Sequence, residues 1–387
     1  MLPSRAISLL ACAAAMAVPS CGKRELAPVK IGLNLELTGD IQTIGQSAKN
    51  AAELFFAQAN DAGGAKLADG PHKFQLVTSD NGANATQAAG VAQQFISRDN
   101  VTAVIGPNSG HCAITASDIA EGLKCVMISP WSSDPETTMD RGAGVPKRYV
   151  FRAGATDDLQ GRVMARFALD KLGARKAAII SETAPGAAVQ AGAFKEAFTA
   201  GGGEIVAQEN ISAGDAEASS LAAAVAAAAP DTVFVAASCE RTLPFLAAAK
   251  AAGIDAGFLG TELWNSPQSI RMTSLGIDGL FFCKNFDHRA DFPAARKFVA
   301  AYTAKYGQPP DDVAALAYDA CGLVAAAMEK SGKNDRESLR ENLARLAGYE
   351  GVTGVFDFHP GSGDPVKSLP VLQIKSTGME WAGTAAP

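Results

Sequence analysis

Long apolar runs are missing from this 387-residue chain after its first twenty residues, so no later segment has the length of a membrane-spanning helix. A basic excess is missing too: 34 Lys and Arg stand against 40 Asp and Glu, for a net charge of −6. The basic residues are scattered, which excludes the electrostatic footprint of a nucleic-acid-binding surface. Histidine is scarce, and His72, His111, His288 and His359 fall singly, without the spacing of a metal site or an acid-base pair. There is no Gly-x-Ser-x-Gly elbow, no Gly-Lys-Ser/Thr phosphate loop and no His-Glu-x-x-His, so nothing positive supports catalysis. No catalytic residue, metal or cofactor is expected.

Cysteine gives no framework either. Of seven, Cys12 and Cys21 lie near the N-terminus, and Cys112, Cys125, Cys239, Cys283 and Cys321 are odd in number and widely spaced. They read as buried thiols rather than disulfides. What the first residues do carry is Arg5 followed by an apolar stretch over 6–18, the pattern of a secretory signal peptide over 1–20. It ends in Val18-Pro19-Ser20-Cys21-Gly22, which resembles a bacterial lipobox and makes Cys21 the expected lipidation site, followed by a linker over 21–27. The protein is therefore expected to be periplasmic or otherwise extracytoplasmic, held at the membrane through a lipid anchor.

The remaining length exceeds one compact core and predicts two domains. Apolar runs alternate with helical periodicity: strands at 29–37, 74–78, 103–105 and 126–128, helices at 47–62 and 84–97. Parallel strands need crossovers, so the alternation predicts a doubly wound α/β sheet. After residues 149–152 the pattern restarts, with strands at 177–181, 204–208, 232–236, 258–260 and 280–283, which makes a second sheet. Helices at 294–306, 313–330 and 336–346 come too late, and with too little strand, to form a third domain. They are expected to return to the first lobe.

Residues 104–135 are the richest stretch. A strand, a Gly106–Gly110 turn, a helix and a second strand ending in Trp131-Ser132-Ser133 form one βαβ unit. Both turns stand at the carboxyl ends of their strands, where an open sheet places ligands, and both offer hydroxyls and helix-start N–H groups suited to a small anion.

These pieces, taken in order, resemble a known family. Ile31-Gly32-Leu33 with Leu37-Thr38-Gly39, Ala103 to Pro107 with Ser109-Gly110, Ile128-Ser129-Pro130, Phe151-Arg152, Ala317 to Ala320 and Gly351 to Gly354 carry a resemblance to the substrate-binding proteins of branched-chain amino acid ABC transporters, the type I periplasmic binding proteins. It covers nearly the whole chain after the signal. The resemblance implies two doubly wound parallel-sheet lobes joined by a three-strand hinge, here 28–149 plus 287–349 and 150–286 plus 350–387, with crossings near 149–152, 284–288 and 348–352. It implies capture of a small amino-acid-like ligand between the lobes and delivery to an ABC permease. A sensory protein of the same fold, binding an amide or aromatic acid and reporting to a membrane or regulatory partner, is the alternative.

The resemblance also assigns roles. Ser109 and Gly110 match the carboxylate seat, Trp131, Ser132 and Ser133 the hydroxyl-bearing loop, and Glu262 the second-lobe acid that pairs an ammonium. Ile44, Pro185 and Glu240 stand at positions where aromatic side-chain contacts are common. Those three substitutions leave the ligand open between a branched aliphatic and a polar or aromatic side chain.

Overall fold

The computed structural model describes residues 26–140, 142–212, 215–358 and 361–387. The signal peptide and Cys21 lie outside the described residues.

The five strands of the first sheet run parallel in the order Phe74–Asp80, Val29–Leu35, Ala103–Ile105, Val126–Ser129, Val150–Arg152. Its inner strands are short apolar runs rather than alternations because helices cover both faces; all four residues of Val126–Ser129 are buried. On one face lie the helices Ala85–Ser97 and Gly110–Gly122. On the other lie Gln42–Asp61 and the late helices Pro293–Tyr306, Asp312–Ser331 and Arg336–Leu343, whose apolar faces share one core with Ile31, Leu33 and Ile128. Phe55 and Tyr318 meet edge to face at 5.0 Å, and Ser47 Oγ donates to Asp311 Oδ1 at 2.6 Å, joining segments more than 260 residues apart in sequence.

The second sheet has the order Gly378–Ala385, Leu369–Lys375, Leu280–Cys283, Gly257–Gly260, Thr232–Ala236, Lys176–Ser181, Glu204–Asn210. Five strands are parallel, and the two from the C-terminal end are antiparallel additions at one edge. Helices Asp157–Asp170 and Pro185–Ala200 cover one face of it, and Asp215–Ala228 and Cys239–Ala251 the other. Thr156 caps the first of these, its Oγ1 accepting from the Leu159 N–H at 3.3 Å.

Three crossings join the lobes. Ala153 belongs to the first core and Ala155 to the second; Cys283 belongs to the second and Phe286 to the first. The third crossing is later than the expected 348–352. Tyr349–Gly351 and Gly354–Phe358 form a hairpin whose Val352, Phe356 and Phe358 are buried in the first core, and the chain reaches the second sheet only at Leu369. The cause is Asp319 on helix Asp312–Ser331. Its carboxylate accepts from the Val352 N–H at 2.6 Å, the Thr353 N–H at 2.9 Å and Thr353 Oγ1 at 2.7 Å, which pins the hairpin to the first lobe. The crossings touch one another: the Ala155 N–H donates to Asn285 Oδ1 at 2.8 Å, and the Lys284 N–H to the Pro370 carbonyl at 3.1 Å.

Candidate functional site

The strand Ala103–Ile105 can end in a sharp turn only because residue 106 is glycine. Its φ is +89°, and a Cβ there would stand 2.2 Å from the Asn34 carbonyl oxygen. The turn delivers Asn108 and Ser109 to the start of helix Gly110–Gly122, whose first N–H groups have no acceptor within the helix. The neighbouring strand Val126–Ser129 delivers residues 131–134. Arg152, wholly buried, fixes that second loop: its guanidinium donates to the Ser132 carbonyl at 2.7 Å, the Asp134 carbonyl at 2.8 Å and Thr138 Oγ1 at 2.8 Å, and pairs with Asp364. Four of its five N–H donors are thus engaged by the protein itself.

These two loops and two carboxylates of the second lobe, Asp157 and Glu262, enclose a cavity of about 280 Å³ between the lobes. Ser109, Gly110, Trp131, Ser132, Ser133 and Glu262 are thus brought together as the sequence reading expected. Ile44, Pro185 and Glu240 are not among the residues lining it. Ile44 packs on the first-lobe core, Pro185 opens helix Pro185–Ala200 on the surface, and Glu240 is exposed in the first turn of helix Cys239–Ala251. A larger cavity of about 580 Å³ is lined in part by Val355, Trp381 and Pro387 and by no residue of the two loops.

The geometry also brings in residues that sequence reasoning passed over. Glu36, just beyond the first strand and wholly buried, reaches under the turn. It accepts from the Asn108 N–H at 3.0 Å, Asn108 Nδ2 at 2.9 Å, the Ser109 N–H at 3.1 Å and Ser109 Oγ at 3.1 Å. Ser109 therefore spends both of its donors on the protein's own carboxylate. The donors still open at this end are the N–H groups of the first helical turn, from Gly110 onward. The Ser132 and Thr137 hydroxyls are bonded to each other, Oγ to Oγ1 at 2.8 Å.

Across the cavity Glu262 follows the strand Gly257–Gly260, its N–H donating to Gln160 Oε1 at 3.1 Å and its Oε2 accepting from Asn285 Nδ2 at 2.7 Å. Burial between the lobes, with Asp157 beside it and Asp312 further off, pushes its carboxyl up to about 8. Burial likewise raises Asp157, against the hydrogen bond it accepts from Gln190 Nε2 at 2.9 Å. Asp134 caps the short helix Pro135–Thr137 and stands against Gly110, where a Cβ would lie 3.7 Å from Asp134 Oδ2. A clue to these residues was present in the sequence as Leu35-Glu36-Leu37 and Ser133-Asp134, but a carboxylate in an apolar strand reads equally as an edge residue. His111 is exposed, and among the described residues no group of His, Cys, Asp and Glu could hold a metal ion. The five described cysteines are free and buried.

This arrangement has parallels. The family description "Periplasmic binding protein" matches residues 28–379. The leucine-, isoleucine-, valine-, threonine- and alanine-binding protein of Pseudomonas aeruginosa is 26% identical over 347 residues, 89% of this chain and 90% of that one. A substrate-binding protein from Desulfitobacterium hafniense, solved in complex with Leu, superposes with a TM-score of 0.74 at 26% identity over 92% of this chain and all of the other. A solute-binding protein of R. palustris in complex with benzoate shares the fold at a TM-score of 0.67 and 24% identity, covering 93% of this chain and 97% of that one. With its two parallel-sheet lobes, three crossings and a cavity between them, the chain belongs to the periplasmic binding protein family.

Proposed function

We propose that this protein is the extracytoplasmic binding component of an ABC transporter. It captures a small amine-bearing, amino-acid-like ligand between its lobes, hands it to a membrane permease and performs no chemistry. The observation that carries the reading is the cavity between the lobes. A helix start and a hydroxyl-bearing loop from the first lobe face a buried carboxylate from the second across a space suited to a small molecule. A ligand ammonium on Glu262 spans the two lobes and favours the closed arrangement, because the contact exists only when both walls are in place. The Gly110 N–H and the Ser133 hydroxyl are the donors assigned to a ligand carboxylate or carbonyl, and Trp131 the apolar wall. Relatives named for leucine, isoleucine and valine support the amino-acid class. In this reading Cys21, outside the described residues, anchors the mature chain to the membrane by its lipid.

The test is a thermal-shift and calorimetric screen against amino acids, amides and aromatic acids, since a ligand that binds only the folded state raises its melting temperature by mass action. Stabilisation by an amine-bearing ligand, lost in Glu262→Gln, is expected. Stabilisation by simple carboxylates alone, unchanged in that variant, refutes the ammonium role.

A further inference from the structure

The cavity walls are one-sided in charge. Among the described residues lining it are three carboxylates, Asp134, Asp157 and Glu262, and no Lys or Arg. Two cations of the hinge strands are already bonded: the buried Arg152 is held by Asp364 and three oxygens of the protein, and the partly buried Lys284 pairs with Asp312 at 3.0 Å.

The end of the cavity that would take an anion is itself supplied with anions. Glu36 receives the Asn108 and Ser109 donors from beneath, and Asp134 stands against the first residue of helix Gly110–Gly122 from above. The positive end of that helix therefore faces two carboxylates of the chain before any ligand arrives. A ligand whose only charge is a carboxylate meets repulsion at this end, and at the other it finds two buried acids and no cation to balance its charge.

A second observation points the same way. Asn108 is wholly buried and lines the cavity, yet only its Nδ2 is used; Oδ1 accepts no hydrogen bond. An unpaired buried acceptor is costly, and a donor supplied by a ligand relieves that cost. An acceptor left open beside three carboxylates calls for N–H groups.

We infer that the cleft selects a small organic cation, a ligand whose ammonium or guanidinium groups outnumber its carboxylates, over zwitterionic aliphatic amino acids and over aromatic acids. This rests on the reading of the cleft as the ligand site and adds the charge class of its occupant. Glu262 and Asp157 take one cationic group on the second lobe, while Asp134 and Asn108 Oδ1 take another on the first.

The experiment titrates the full chain with L-arginine, L-lysine, 1,4-diaminobutane, L-leucine and benzoate by calorimetry at low and at 0.5 M salt. At least one of the three cations is expected to bind about tenfold or more tighter than leucine. Its affinity falls with salt, and Asp134→Asn, which keeps the helix cap, weakens it about fivefold or more while leucine binds no more weakly than before. Circular dichroism of the variant confirms that it folds, and Asp157→Asn provides the same test from the other lobe. Leucine binding as tightly as the best cation, and lost in Glu262→Gln, overturns the charge selectivity and leaves the proposed function standing. A cation preference unmoved in both Asp variants also overturns it. Binding of benzoate alone, or of nothing in the panel, overturns both.

Discussion

A buried carboxyl that must ionise to receive an ammonium makes ligand binding release a proton, and the proposed function gives that part to Glu262. Burial, with Asp157 the nearest like charge, pushes it from an ordinary 4.5 up to about 8; Asp312 adds to this, though Lys284 partly offsets Asp312, and the Cys283 thiol nearby stays neutral. At pH 7 roughly nine-tenths of the unliganded protein therefore carries the proton, since one unit separates pH from pKa. A ligand ammonium favours the charged form and expels it. Binding at pH 7 should release roughly 0.9 proton, falling to about half at pH 8. Affinity should rise close to tenfold per unit from about pH 6 to 8, which is ~1.4 kcal/mol per unit, and then level off. Calorimetry in buffers of different ionisation enthalpy reads the proton count directly. Heats independent of buffer at pH 7, with a flat Kd from pH 6 to 8, would refute the reasoning. The same group sets the sign of stability without ligand. Its folded pKa lies above its unfolded one, so the folded state holds the extra proton between about 4.5 and 8, and stability falls as pH climbs through that window. Glu262→Gln should flatten the decline and be the more stable chain at pH 8.5.

Two structural variants test how the 106–110 turn and the hinge are held. Glu36→Ala leaves the buried N–H and Nδ2 of Asn108 and the N–H and Oγ of Ser109 without their acceptor. It should cost about 3 kcal/mol in urea unfolding and weaken any ligand through a loosened turn; a loss below about 1 kcal/mol would mean the loop holds its shape without it. Asp319→Ala removes the acceptor of three donors on the 352–353 turn and the nearest counter-charge of Lys367, which burial pulls down to about 8. A loss of about 3–5 kcal/mol is expected, with partial recovery on adding Lys367→Met, because the second change removes the stranded charge. No recovery in the double variant would show that the hairpin bonds, rather than the buried charge, carry the cost.

The alternation of strand and helix was readable because each element is short, apolar and separated by Gly- or Pro-bearing turns; periodicity is a local property and survives in the sequence. The third crossing was not readable. Residues 349–358 look like one more strand of the second lobe, and what assigns them to the first is Asp319, more than 30 residues earlier on a helix. Glu36 was lost for the same reason. Its partners stand 72 and 73 residues away, and nothing in Leu-Asn-Leu-Glu-Leu marks the glutamate as buried. The convergence of the 106–110 and 131–134 loops on one cavity was legible because strand ends of an open sheet converge whatever their side chains. Ile44, Pro185 and Glu240 depended instead on side-chain direction, and Glu240 turns outward on its helix, where solvation of the charge outweighs any contact inward.

The Glu262 carboxyl and the hinge are joined through one side chain. Asn285, in the second crossing, accepts the Ala155 N–H of the first with Oδ1 and donates to Glu262 with Nδ2. While Glu262 is protonated, that Nδ2 bond is a neutral one; once a ligand cation drives the proton off, the same donor faces a full charge and the bond strengthens roughly twofold. Two crossings are thereby drawn more firmly to the floor of the cleft at the moment it fills. On the proposed function, closure needs no separate trigger, because the charge assigned to the ligand is bonded to the segments that cross between the lobes.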